Sequence, residues 1–169
     1  MTTSTDPFAD YAADLVKQTR PEACPIDLQM MTFFGRSGTG KTSTAAAFKN
    51  HIYLDLEASA TEQQINAWPW GKTWAKFAEL IELTVKNPGG PLEGKTLIID
   101  PVSELWALCL KKGLADRGLT ELPDDFGRTL VVIRNEFGRI MQMLLKLRMD
   151  QRMGTIFIAH EVATEEVTP

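Results

Sequence analysis

The sequence predicts an α/β domain with a mainly parallel sheet flanked by helices. Three observations predict it. Short apolar runs alternate along the chain with segments of helical period. The first run leads into Gly35–Thr42, Gly-Arg-Ser-Gly-Thr-Gly-Lys-Thr, which fits the Walker A pattern G-x-x-x-x-G-K-[ST] in the required order of strand, loop and helix. The chemically capable residues Gly35, Glu57, Asp100 and His160 all fall at the ends of runs, where such sheets bind ligands.

The 169 residues suffice for one domain with a real core. Hydrophobic content of 44% and charged content of 24% are ordinary for a soluble globular protein. The formal net charge of −4 argues against a protein that coats nucleic acid with its whole surface, while leaving room for a local basic patch. No apolar run approaches the ~18 residues of a membrane span. The N-terminus lacks the basic and apolar regions of a signal peptide. Cys24 and Cys109 have no metal or redox spacing and read as reduced thiols of a cytosolic protein. Neither His has a second ligand at metal spacing, which argues against a zinc site.

Residues 1–26 are polar and Pro-punctuated, and read as a loosely attached arm with a short helix over 8–17. The core is expected over 27–162, followed by an acidic tail, 163–169. Leu28 to Phe34 is the first predicted strand, and Thr42 to Lys49 the first helix. Asn50 breaks that helix, and His51 to Leu56 is the second strand, with Glu57 just past its end. Residues 58–67 are polar, and Trp68-Pro69-Trp70-Gly71 is a turn. Thr73 to Val85 has helical period through Trp74, Phe77, Leu80 and Ile81. After the breaker Asn87-Pro-Gly-Gly-Pro91, Thr96 to Ile99 is a strand ending at Asp100. A helix is predicted over Val102 to Asp116. Asp124 or Asp125 could cap the longest helix, Phe126 to Met149. Its apolar face comprises Phe126, Leu130, Ile133, Phe137, Ile140, Met141 and Leu144. Thr155 to Ala159 is the last strand, ending at His160. The four tryptophans read as core or subunit contacts.

In the loop, glycines free the backbone to point N–H groups at phosphate oxygens, and the following helix adds its N-terminal N–H groups. The expected contacts run from Gly35 through Arg36, Ser37, Gly38, Thr39, Gly40, Lys41 and Thr42 to Ser43. Lys41 would reach the β- and γ-phosphates of ATP, and Thr42 would hold Mg²⁺. Asp100 has two readings: a second hold on Mg²⁺, or a cap on the helix that follows. Glu57 reads as the general base for water, or as a solvated loop carboxylate. Asp100 is followed by Pro101 and not Glu, so a base must come from elsewhere. His160 reads as a γ-phosphate sensor or as a strand-end cap. His51 lies at the far end of its strand and has no assigned role.

The order Gly35–Thr42, Tyr53-Leu-Asp-Leu-Glu57, Leu97-Ile-Ile-Asp-Pro-Val-Ser103, Ile156-Phe-Ile-Ala-His160 resembles the RecA-like P-loop ATPase core over residues 28–162. It is most similar to phage-type nucleotide-binding AAA proteins, including single-strand-annealing ATPases of the Sak type. The resemblance implies Glu57 as base, His160 as sensor and a strand order of 5-1-4-3-2. It also implies a ring or filament of identical subunits with sites completed between them, in bacterial or phage-infected host cytoplasm. The chain stops nine residues after His160, so a truncated or minimal core is expected, with the DNA-contacting part in question.

Arg128, Arg139 and Lys146 align on the polar face of the longest helix. They are a solvated face, or they contact DNA phosphates or a neighbour's nucleotide. Arg134 and Arg148 are further candidates for action in trans, and Arg148 falls near the apolar face by period. The leading expectation is Mg²⁺-dependent ATP hydrolysis in phage-type recombination, annealing or replication on single-stranded DNA. The rivals are a nucleotide-binding switch or assembly module with little turnover, and a small-molecule P-loop kinase; such kinases carry an Arg-rich lid, and Arg148–Arg152 has two Arg but no obvious lid loop around them.

Overall fold

The computed structural model describes residues 25–57, 65, 67–69, 71–150 and 152–161. The N-terminal helix over 8–17, most of the polar 58–67 segment, Trp70 and the 163–169 tail lie outside the described residues. Four parallel strands form one sheet: β1 (Met30–Gly35), β2 (His51–Asp55), β3 (Lys95–Asp100) and β4 (Met153–His160). Their order is β1-β4-β3-β2, as expected for the four strands found here. Four helices accompany them: α1 (Lys41–Ala46), α2 (Trp74–Lys86), α3 (Val102–Ala115) and α4 (Arg128–Met149).

The strands read as unbroken apolar runs because both faces of the sheet are covered. On β3, Leu97 and Ile99 face one core and Ile98 the other. The larger core joins Leu54, Leu97 and Ile99 to Phe77 and Ile81 of α2, Leu105 of α3, and Ile133, Ile140, Leu144 and Leu147 of α4. Trp74 stacks on Phe137 at 5.5 Å, and Trp106 meets the same ring edge-on at 5.3 Å. The second core is thinner, formed by Tyr53, Ile98, Ile156 and Ile158 under Ala45 of α1. Trp74 is therefore core, whereas Trp68 is 41% exposed.

The helix ends follow local chemistry. The Thr73 hydroxyl accepts the Lys76 N–H and caps α2. Of the two candidate aspartates, Asp125 caps α4: it accepts the Thr129 N–H at 2.9 Å and the Thr129 hydroxyl at 2.6 Å. These hydrogen bonds, the side-chain one first, hold the Asp125 carboxyl below its ordinary range. The chain reaches α4 through Phe126 and Gly127, both at positive φ, so the helix starts later than the period predicts. Phe126 is 98% exposed and leaves the apolar face, while Leu147 joins it, fully buried. Helix α1 is also shorter than predicted. The Phe48 N–H bonds back only three residues, to Ala45, and Asn50 enters the left-handed region.

The segment before β1 is bound to the sheet. The Thr96 hydroxyl donates to Asp27 O at 2.6 Å, and the Thr155 N–H to Gln29 O at 2.9 Å. Gly154 permits this approach, because a Cβ there would lie 2.1 Å from Asp27 O. The odd position of Arg148 is explained at the same place: its Nη2 donates to Gln29 Oε1 at 2.8 Å.

Candidate nucleotide site

Parallel strands end together, so β1, β3 and β4 bring Gly35, Asp100 and His160 to one edge of the sheet. Glu57 follows two residues after β2 at the same edge. There, residues 37–43, Glu57, Asp100 and His160 line a cleft of about 280 Å³. Of the predicted contacts, only Gly35 and Arg36 are not among its lining. They supply carbonyls instead: Lys41 Nζ donates to Gly35 O at 2.8 Å and to Arg36 O at 2.7 Å. The Arg36 side chain is exposed and reaches Glu161 at 3.4 Å.

The loop takes its shape from Gly38 and Gly40, at φ 79° and 81°, where a side chain would be strained. The Thr39 hydroxyl pins the loop by donating to Arg36 O at 2.9 Å. Lys41 and Thr42 open α1 and are both buried.

The centre of the site is Asp100, 1% exposed. Its Oδ2 accepts the Thr42 hydroxyl at 2.7 Å and also the Tyr53 hydroxyl. Its Oδ1 lies 3.7 Å from His160 Nε2, beyond hydrogen-bond length. The β3 end is tied to β2 by the Leu56 N–H, which donates to Asp100 O at 2.8 Å. Thr42 and Asp100 supply hard oxygen atoms, the donor type that Mg²⁺ takes. Thr42 gives its proton to Asp100, so its lone pairs remain for a cation. The residues present therefore fit Mg²⁺.

Tyr53 carries no functional mark in the sequence beyond its place in a strand-end motif. Its signal is a tyrosine in a buried apolar strand, where a hydroxyl needs a partner.

Several candidates lie elsewhere. Arg139 is held by Glu136 and, at 2.9 Å, by Glu82. Those bonds, Glu136 first, push its pKa up and hold the Glu136 carboxyl down. Arg148 and Arg152 cannot form a lid over the loop. Arg148 holds Gln29, and Arg152 holds Glu93 at 3.1 Å and Thr84 O at 2.7 Å, beside the opposite end of β4. His51 bonds Phe48 O and is absent from the cleft. Burial first, then Glu136, pushes the Cys109 thiol up to about 12, which fits a structural thiol. A larger cavity of about 630 Å³ opens beside β2, but its lining is mainly apolar and contains no carboxylate. Among the described residues no group of three metal ligands occurs, and no helix is long and apolar enough to cross a membrane.

A glycine loop with its Lys and Thr, facing an aspartate at the end of a parallel strand one strand removed, defines a P-loop nucleotide-binding domain. A family model described as an AAA domain matches residues 28–168, and the chain belongs to that family. No match was found among curated proteins.

Proposed function

We propose that the chain binds ATP with Mg²⁺ in this cleft and hydrolyses it. The observation that carries the reading is the Thr42–Asp100 hydrogen bond at 2.7 Å, which unites the loop with a strand-end carboxylate. Thr42 and Asp100 would hold the cation, which offsets phosphate charge when bound. The loop N–H groups and Lys41 hold the phosphate oxygens. The cleft, at about 280 Å³, lies just below the range for ligand pockets, about 300–1,000 Å³, which suits a phosphate chain with the sugar and base outside. Glu57 lines the same cleft, and as general base it orients and deprotonates the attacking water. His160, beside Asp100, senses the γ-phosphate.

The finer reading is a RecA-like motor of the phage annealing type that acts on single-stranded DNA as an oligomer. Its support is the order of the four strand-end motifs. Phosphate release measured with and without single-stranded DNA, and sizing with a slowly hydrolysed ATP analogue, test it. Stimulation by DNA together with nucleotide-dependent assembly supports the reading. Absence of both stimulation and salt-dependent DNA binding would count against the DNA role.

A further inference from the structure

We propose that Tyr53 is a positioning residue that fixes the Asp100 carboxylate for the cation, a role resting on the Mg²⁺–nucleotide reading above. Tyr53 is 1% exposed, and its neighbours in the thin core are Ala45, Ile98, Ile156 and Ile158. Phenylalanine would serve that apolar packing equally well. The hydroxyl needs a separate reason, because an oxygen placed in an apolar layer costs free energy unless it is bonded. It donates to Asp100 Oδ2, the same oxygen that accepts Thr42.

The register explains the reach. Asp55 of β2 pairs with Asp100 of β3, and Tyr53 lies two residues before Asp55. The contact is thus the cross-strand diagonal that long aromatic side chains span. Two donors on one oxygen fix the plane of the carboxylate and leave Oδ1 on the side of His160. Both donors are neutral. A lysine in place of Tyr53 would hold the carboxylate equally firmly and cancel its charge. The hydroxyls hold it and leave the charge for a cation. Strand β2 then serves the site twice, through Tyr53 and through Glu57 just beyond its end.

The test compares binding of a fluorescent ATP analogue, mant-ATP, in MgCl₂ and in EDTA. The ratio of the two affinities isolates the contribution of Mg²⁺. Tyr53→Phe should lower that ratio about tenfold and leave the EDTA affinity close to wild type. In an Asp100→Asn background the same substitution should change nothing further, because both act through one contact. A second readout keeps the wild-type fold. With 3-fluorotyrosine in place of Tyr11 and Tyr53, the Tyr53 ¹⁹F resonance should move when Mg²⁺ joins the bound nucleotide, and should stay still in Asp100→Asn. A wild-type ratio in Tyr53→Phe, where Asp100→Asn loses it, would overturn the proposal alone. A wild-type protein whose binding ignores Mg²⁺ would overturn the underlying reading as well.

Discussion

The Thr42 hydroxyl meets Asp100 Oδ2 at 2.7 Å across 58 positions of sequence. The contact exists because β1 and β3 end at the same edge of a parallel sheet, separated there by β4. The loop after β1 turns Thr42 back into α1, and Asp100 is the last residue of β3. It joins the first turn after the loop directly to the strand-end carboxylate. The functional reading therefore rests on this pair, and the other residues of the cleft are assigned around it.

Glu57→Gln separates binding from turnover. Glutamine keeps the shape of the side chain but cannot take a proton from water. The hydrolysis rate should fall by about 10²–10⁴ while ATP affinity stays close to wild type. Single-turnover phosphate release checks this. Hydrolysis at the wild-type rate would move the base elsewhere, and negligible hydrolysis by the wild-type chain would favour the switch reading.

Gly154→Ala should destabilise the protein by more than about 2 kcal/mol. The new Cβ would lie 2.1 Å from the Asp27 carbonyl oxygen, a backbone atom that cannot rotate away. The Ile26–Leu28 turn must then leave β4 or pull it out of line. Thermal melting reads the loss directly. A melting temperature within a degree of wild type would contradict the close packing of this turn.

Thr155→Val should stabilise by about 1 kcal/mol. Thr155 is fully buried in β4, and its hydroxyl has no hydrogen-bond partner among the described residues. A methyl in its place ends the cost of burying that oxygen and keeps the β-branched shape. Urea unfolding should show a higher midpoint with an unchanged slope.

Stability should decline on the acid side partly through Glu136. Hydrogen bonding to Arg139, the largest cause, lowers its carboxyl from the ordinary value of 4.5 in the folded protein. The unfolded chain therefore takes up the proton first as pH falls. The contribution is complete above about pH 4.5 and is lost as pH drops through the lower folded value. Melting temperature followed from pH 7 to pH 3 should show a shallower acid decline in Glu136→Gln than in wild type.

The strand ends were legible because each carries a local signal: an apolar run, then one glycine, carboxylate or imidazole. The order of elements followed from alternating periods. What the sequence hid was set by contacts distant along the chain or by backbone geometry. Phe126 has the right period for the apolar face, yet positive φ at Phe126 and Gly127 delays the helix and turns it to solvent. Arg148 looked misplaced until Gln29, 119 residues away, supplied its partner. Gly154 follows the longest helix in the sequence with no local sign of a close contact, and only the fold reveals the carbonyl against it. Tyr53 reads as one more apolar strand residue, since nothing local tells which acceptor its hydroxyl meets.

Calorimetric titration of ATP with Mg²⁺ into wild-type protein and into Lys41→Ala tests the central claim most directly. Lys41 bonds the loop carbonyls of Gly35 and Arg36 and lines the cleft, where the proposed function puts the phosphates. One saturable site per chain is predicted for wild type, weakened about a hundredfold or more in Lys41→Ala. Equal affinity in the two proteins, or no binding by wild type, would contradict a nucleotide site at this loop.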